Sequence, residues 1–275
     1  MKRFLLCSNM IDAHSHVQLL LNKGIPLALI KERAKSVGVT RAVSCSCSFS
    51  DWGDSQFWED PFVLPQFGIH PWWVMEERPA DWVDRLVKKL IEYPSAGVGE
   101  IGLHKKKKDV PFPVQLEVFK AQLQVAKQLQ RTVSVHCVNA YGTLIEVLKS
   151  ESFTGPVVIH SFSGNGDQIQ ALIRNWNVFF SVSANCPRNE VIPLIPLDRL
   201  LVETDSPDQT SSPNFSIPFP TVPPKLDEST NDCSQLPLVV ERVARARGMS
   251  FAEIAQISES NTIRAFQISH PICTL

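Results

Sequence analysis

The chain lacks a membrane span. None of its apolar runs approaches the roughly 18 residues that crossing a bilayer requires. It also lacks a secretory leader, because Phe4-Leu5-Leu6-Cys7 is too short for an h-region ahead of Asp12. Together these absences predict a cytoplasmic or nuclear protein with no membrane partner. Charge of one sign is missing too: 27 basic against 28 acidic residues leave a net charge of -1. That excludes non-specific coating of nucleic acid by a global basic field, while a local patch stays open. The seven cysteines are scattered, and Cys45-Ser46-Cys47 has the wrong spacing for a CxxC metal or redox pair. Free thiols in structural roles and a reducing compartment follow. There is no P-loop, no internal repeat and no nucleophile-elbow pattern around Ser161, Ser163 or Ser206.

What is present is an alternation. Short apolar runs at 5–12, 42–46, 63–69, 96–101, 133–137, 157–160, 178–182 and 200–204 suit buried parallel strands. Helical patterns lie between them at 27–37, 80–92, 113–130, 141–150, 167–176 and 189–195. Leu116, Phe119, Leu123 and Ala126 share one stripe of the 113–130 helix, and Pro113 stands in its first turn. A Pro/Ser-rich stretch, 206–224, follows the last strand, and helices at 235–247, 250–258 and 260–267 close the chain. Eight strands alternating with helices over 275 residues predict an α/β fold: one (β/α)8 TIM barrel domain, 1–275, with extra C-terminal helices. The structural alternative is an open doubly wound sheet.

A barrel puts its active site at the C-terminal ends of its strands. The polar residues gather there. His14 and His16 end strand 1, two residues apart and so on one face. His70 follows strand 3, Glu100 strand 4, His136 strand 5, His160 strand 6 and Asp205 strand 8. Each alone reads as a hydrogen-bonded core residue or a turn. Five of the seven histidines at strand ends, with two carboxylates, would be costly to bury without a common partner. A metal satisfies all of them. An all-His/carboxylate donor set favours Zn, Mn, Co or Mg, and its size fits two ions bridged by one carboxylate.

The succession HxH, GxHP, GEIGL, a strand-end His, HSFSG and ETDSP resembles the TatD family of metal-dependent deoxyribonucleases, amidohydrolase-like barrels. The resemblance runs from about Ile11 to Phe266 and takes in Gln115, Phe119, Gln122 and Leu123, then Asn261 to Phe266. It implies that His14, His16 and Asp205 hold one divalent ion (Mg, Mn or Zn) and that His136 and His160 hold another. Glu100 would bridge the two. It implies further that Asp205 orients or deprotonates the attacking water, and that His70 supports the ligands or touches substrate. Three departures fall outside this ligand set. His104 stands where the family has Asp, Val138 where it commonly has Arg, and the late Arg-Asn-x-Pro element is blurred around Asn231-Asp232-Cys233.

The loops suggest the substrate. Lys105 to Lys108 follow Glu100 closely and could offer counter-charge to phosphates, or be a solvated loop. Trp52, Phe57, Trp58, Trp72 and Trp73 follow strands 2 and 3, where they could stack unpaired bases or pack on one another. Ser163 serves a turn with room for a phosphate contact. The predicted substrate is single-stranded or end-frayed DNA, cut by a monomeric 3′–5′ exonuclease with a water activated by two ions. A stiff 206–224 cover would restrict the mouth to chain ends. The alternative is a hydrolase of the same barrel type acting on a small ester, amide or phosphotriester.

Overall fold

The computed structural model describes residues 9–76, 79–210, 222–227 and 230–268. The first four positions of the predicted opening strand and the middle of the 206–224 stretch lie outside these. Eight strands form one parallel sheet in sequence order: β1 Met10–Ser15, β2 Val39–Cys45, β3 Val63–Phe67, β4 Gly97–His104, β5 Val133–Val138, β6 Val157–Ile159, β7 Val178–Val182 and β8 Leu200–Val202. The helices are α1 Val17–Asn22, α2 Leu27–Ser36, α3 Ser55–Trp58, α4 Trp82–Glu92, α5 Phe112–Gln128, α6 Tyr141–Ser150, α7 Gly166–Asn175, α8 Leu236–Arg247 and α9 Phe251–Ala265. The sheet curls into a nearly closed (β/α)8 barrel. Its seam is joined by backbone bonds from Asp205 N to His14 O (3.0 Å) and from His16 N to Ser206 O (2.6 Å).

The strands are apolar on both faces because helices cover the outside and other strands fill the inside. Val98, Ile101, Val133, Val157, Phe180 and Leu200 are fully buried. Three predicted elements come out differently. The pattern at 189–195 folds as a 3-10 helix, Asn189–Leu194, with Pro193 inside it removing a donor that an α-helix needs. The separate helices expected at 250–258 and 260–267 are one continuous helix, α9, started by a reciprocal Ser250–Glu253 capping box. The short helices α1 and α3 were not expected; each spans too few residues to show a periodicity.

Two features of β4 and α5 set up the site. Gly102 has φ +150°, and a Cβ there would lie 1.9 Å from the His136 carbonyl oxygen. Glycine therefore lets β4 press against β5 where the strands carry Glu100 and His136. On α5, Gln115 and Gln122 are seven residues apart on one buried face. Gln122 holds both backbone groups of Ile69 (2.7 and 3.1 Å), and Gln115 accepts from the backbone N–H of His104 at 2.8 Å. One helix face thus anchors the chain ends that carry His70 and His104.

Candidate metal centre

Glu100 is the hub. It is buried, and its two oxygens face two different groups of donors. Oε2 lies 3.4 Å from His14 Nε2 and 3.2 Å from His16 Nε2. The same two nitrogens are 3.3 Å from each other, and each is 3.4 Å from Asp205 Oδ1. Oε1 lies 2.9 Å from His136 Nδ1, 2.8 Å from His160 Nε2 and 3.3 Å from His70 Nε2. His136 Nδ1 and His160 Nε2 are 3.1 Å apart.

These distances fit a metal. Donors about 2.0–2.1 Å from a tetrahedral ion stand roughly 3.3–3.4 Å from one another. The separations of His14 Nε2 and His16 Nε2 from each other, from Glu100 Oε2 and from Asp205 Oδ1 fall between 3.2 and 3.4 Å. The hydrogen-bonding of the far ring atoms points the same way. His16 Nδ1 lies 2.7 Å from the Cys45 carbonyl, which only accepts, so Nδ1 keeps its hydrogen and Nε2 is the atom turned to the cluster. His160 Nδ1 faces the buried Glu203 at 3.6 Å, and Cys45 Sγ sits 3.4 Å from His14 Nδ1.

Burial would raise the Glu100 pKa, but His160, His70 and the bonds from His136 and His14 outweigh it and hold the carboxyl well below its ordinary range. Burial likewise opposes charge on His16 and His160. On His16 its coupling and hydrogen bond to Cys47 and contacts with Asp205 and Glu100 overcome it; on His160, Glu100, Glu203 and Asp205 do. Both imidazoles therefore titrate well above their usual value. Burial wins at His14, whose pKa falls, and at His70, pushed down to about 4. The cluster thus carries protons on His16 and His160 that a cation would displace.

Asp205 adopts φ +52°, a left-handed turn that directs its carboxylate back over the barrel. Oδ1 faces the histidines, and Oδ2 accepts from Gln209 Nε2 at 2.5 Å. Gln209 also bonds Ser161 Oγ at 2.8 Å.

These groups floor an open cleft of about 880 Å³. Trp72, Trp73, Lys106, Asn139, Ser163 and Arg188 line its walls. The structure separates residues that looked alike in sequence. Trp52, Phe57 and Trp58 are buried and pack with Phe67 and Tyr93, so they do not reach the mouth. Trp72 and Trp73 are 41% and 46% exposed. Of the lysine run, Lys106 lines the cleft. Lys105 instead lies over the Phe112 ring, and Lys107 lies over Trp72 and pairs with Asp109 at 2.9 Å. Ser163 is bound to Tyr141, its N–H donating to the phenol oxygen at 3.1 Å.

Several contributors were not singled out from sequence. Cys47 stands within reach of His16 and Glu100, and Glu203 within reach of His14 and His160. Arg188 lies in the loop after β7, six residues past Val182, too far for the strand-end rule that found the histidines. Gln209 carried no such signal either, because its role comes from a loop folding back.

A parallel barrel with a His/carboxylate cluster at the C-terminal strand ends defines a metal-dependent hydrolase. The family model described as TatD related DNase matches residues 11–267, and the chain belongs to that family. An uncharacterised metal-dependent hydrolase of Bacillus subtilis, YabD, is 29% identical over 77% of this chain and 80% of its own length. A protein of Escherichia fergusonii named 3′-5′ ssDNA/RNA exonuclease TatD is 27% identical over 76% of this chain and 80% of its own. The crystal structure of the TatD homologue YjjV from Escherichia coli superposes with a TM-score of 0.81 at 24% identity, over 94% of this chain and 98% of that one, and speaks for the fold. The enzyme is a metal-dependent hydrolase acting on ester bonds. No described helix is long and apolar enough to cross a membrane.

Proposed function

We propose that this chain is a 3′–5′ exonuclease that trims single-stranded or frayed DNA using two divalent ions. One observation carries the reading: the two oxygens of Glu100 face two separate donor groups, His14/His16/Asp205 and His136/His160, at the floor of a cleft walled by tryptophans and cations. His14, His16 and Asp205 would hold one ion, His136 and His160 the other, and Glu100 both. His70 stands against Glu100 as a further donor. When bound, such ions polarise water and neutralise charge on the departing oxygen. The chain's own residues do the rest. Asp205, steadied by Gln209 through Oδ2, turns Oδ1 toward the ion-binding nitrogens, where its carboxylate would also be placed to take the proton of the attacking water. Lys106 from the β4 loop and Arg188 from the β7 loop offer counter-charge to the phosphate chain on different walls, supplying cations where Val138 supplies none. Trp72 and Trp73 offer faces on which unpaired bases stack. The relatives named as ssDNA/RNA exonucleases support this substrate class.

The test supplies Mg, Mn or Zn to metal-free protein. Labelled single-stranded DNA, duplex DNA, closed circular DNA, RNA and simple phosphotriesters and esters are then compared. Stepwise loss of nucleotides from the 3′ end of single-stranded DNA is expected, abolished in Asp205→Asn with the fold intact. Faster turnover of the small esters would move the assignment to a small-molecule hydrolase, and faster turnover of RNA would change the polymer.

A further inference from the structure

The aromatic group beside the second donor cluster bears on His104, which stands where the resemblance to the family leads one to expect Asp. His104 ends β4, where Gln115 grips its backbone N–H at 2.8 Å and its carbonyl at 3.3 Å. Its ring Nδ1 has two neighbours: Trp72 Nε1 at 3.1 Å and His136 Nε2 at 2.8 Å. The His104 and His136 rings lie 16° from parallel with centroids 5.1 Å apart. They meet edge to edge, since the 2.8 Å bond and two ring radii account for the whole separation.

The donor inventory fixes the hydrogens. An indole N–H only donates. His104 Nδ1 must therefore present a lone pair, and the ring's hydrogen sits on Nε2. A nitrogen presenting a lone pair cannot donate to His136, so His136 Nε2 carries the hydrogen of the 2.8 Å bond and the one lone pair of His104 Nδ1 is shared between the two donors. The opposite arrangement would aim the Trp72 N–H at another N–H. With Nε2 of His136 donating to His104, Nδ1 is the ring atom a bound ion would meet; it lies 2.9 Å from Glu100 Oε1 and 3.1 Å from His160 Nε2, and the hydrogen it shares with Glu100 in the metal-free cluster is the one an ion displaces.

We propose that His104, itself oriented by Trp72, is a positioning residue that sets His136 in the Nε2–H tautomer and leaves Nδ1 as the donor to the second ion. A neutral imidazole does here what a carboxylate does at many metal-bound histidines. It adds no negative charge to a site that already holds Glu100, Asp205 and Glu203. The inference rests on the two-ion reading above only for the identity of what Nδ1 binds.

Two measurements test it. Long-range 1H–15N correlation of the histidine side chains, in metal-free and zinc-loaded protein, reads each ring nitrogen directly. His104 Nδ1 should lack a hydrogen in both forms, and His136 should bind zinc through Nδ1. A hydrogen on His104 Nδ1, or zinc on His136 Nε2, overturns the relay. Calorimetric zinc titration then compares variants. His104→Ala should weaken one binding event about 10–100-fold and leave the other unchanged. His104→Asp should restore it, because a carboxylate accepts the same bond, and Trp72→Phe should fall between. Wild-type affinity for both events in His104→Ala overturns the proposal. Zinc binding nowhere in the wild type would defeat the two-ion reading, while the metal-free spectrum would still judge the hydrogen-bond relay.

Discussion

Thr204 donates both its backbone N–H, at 2.9 Å, and its hydroxyl, at 2.5 Å, to the carboxylate of Asp12 across 192 residues of sequence. The pair pins the first strand to the end of the last. Two residues beyond each partner, or one, come His14 and Asp205, which need that register to meet. Replacing Thr204 with Val keeps the shape and removes the hydroxyl, leaving a buried carboxylate short of a donor. The variant should lose about 1–3 kcal/mol in urea denaturation. An unchanged midpoint would mean that the backbone bonds hold the seam without it.

Metal should stabilise the protein. An ion that binds only the folded state at a hundred times its dissociation constant contributes about 2.7 kcal/mol. Zinc or manganese added to chelated protein should raise the melting temperature, and His16→Ala should blunt the rise. His16 and His160 hold protons well above the usual imidazole range. Those protons compete with the ion, so the rise should shrink as pH falls from about 8 to about 6. A pH-independent rise would show binding elsewhere.

The lysine run should act through one member. Each phosphate contact on a single strand contributes about 0.7 to the slope of log K against log salt. Lys106→Ala should lower the slope by that amount, because Lys106 lines the cleft. Lys105→Ala should leave it nearly unchanged, because that ammonium lies over Phe112. Equal effects from both would make the run a diffuse charged loop.

Two tryptophans should diverge in the same way. Trp73 is 46% exposed at the cleft, and Trp58 is 2% exposed against Phe67. Trp73→Ala should weaken single-stranded DNA binding by about 1–3 kcal/mol per lost stacked base with little change in stability. Trp58→Ala should cost about 3–5 kcal/mol of stability through the cavity it leaves. Binding and melting measured on both variants separate the roles.

The sequence by itself determined the barrel and the strand-end positions of the histidines and carboxylates. Buried parallel strands need unbroken apolar runs, and polar residues that interrupt such runs at their ends stand out. The short helices α1 and α3 left no mark because one or two turns carry no period. The run at 189–195 has the apolar spacing of an α-helix, and that spacing does not reveal what Pro193 removes from the backbone. Only the tertiary structure decided which oxygen of Glu100 faces which histidines, which lysine and which tryptophans reach the cleft, and that His104 meets His136. Those outcomes depend on the direction of side chains that are neighbours in space and strangers in sequence. A period of 2 or 3.6 tells which face a residue lies on. It does not tell which partner from another strand arrives at hydrogen-bonding distance, because the closure of the sheet sets that.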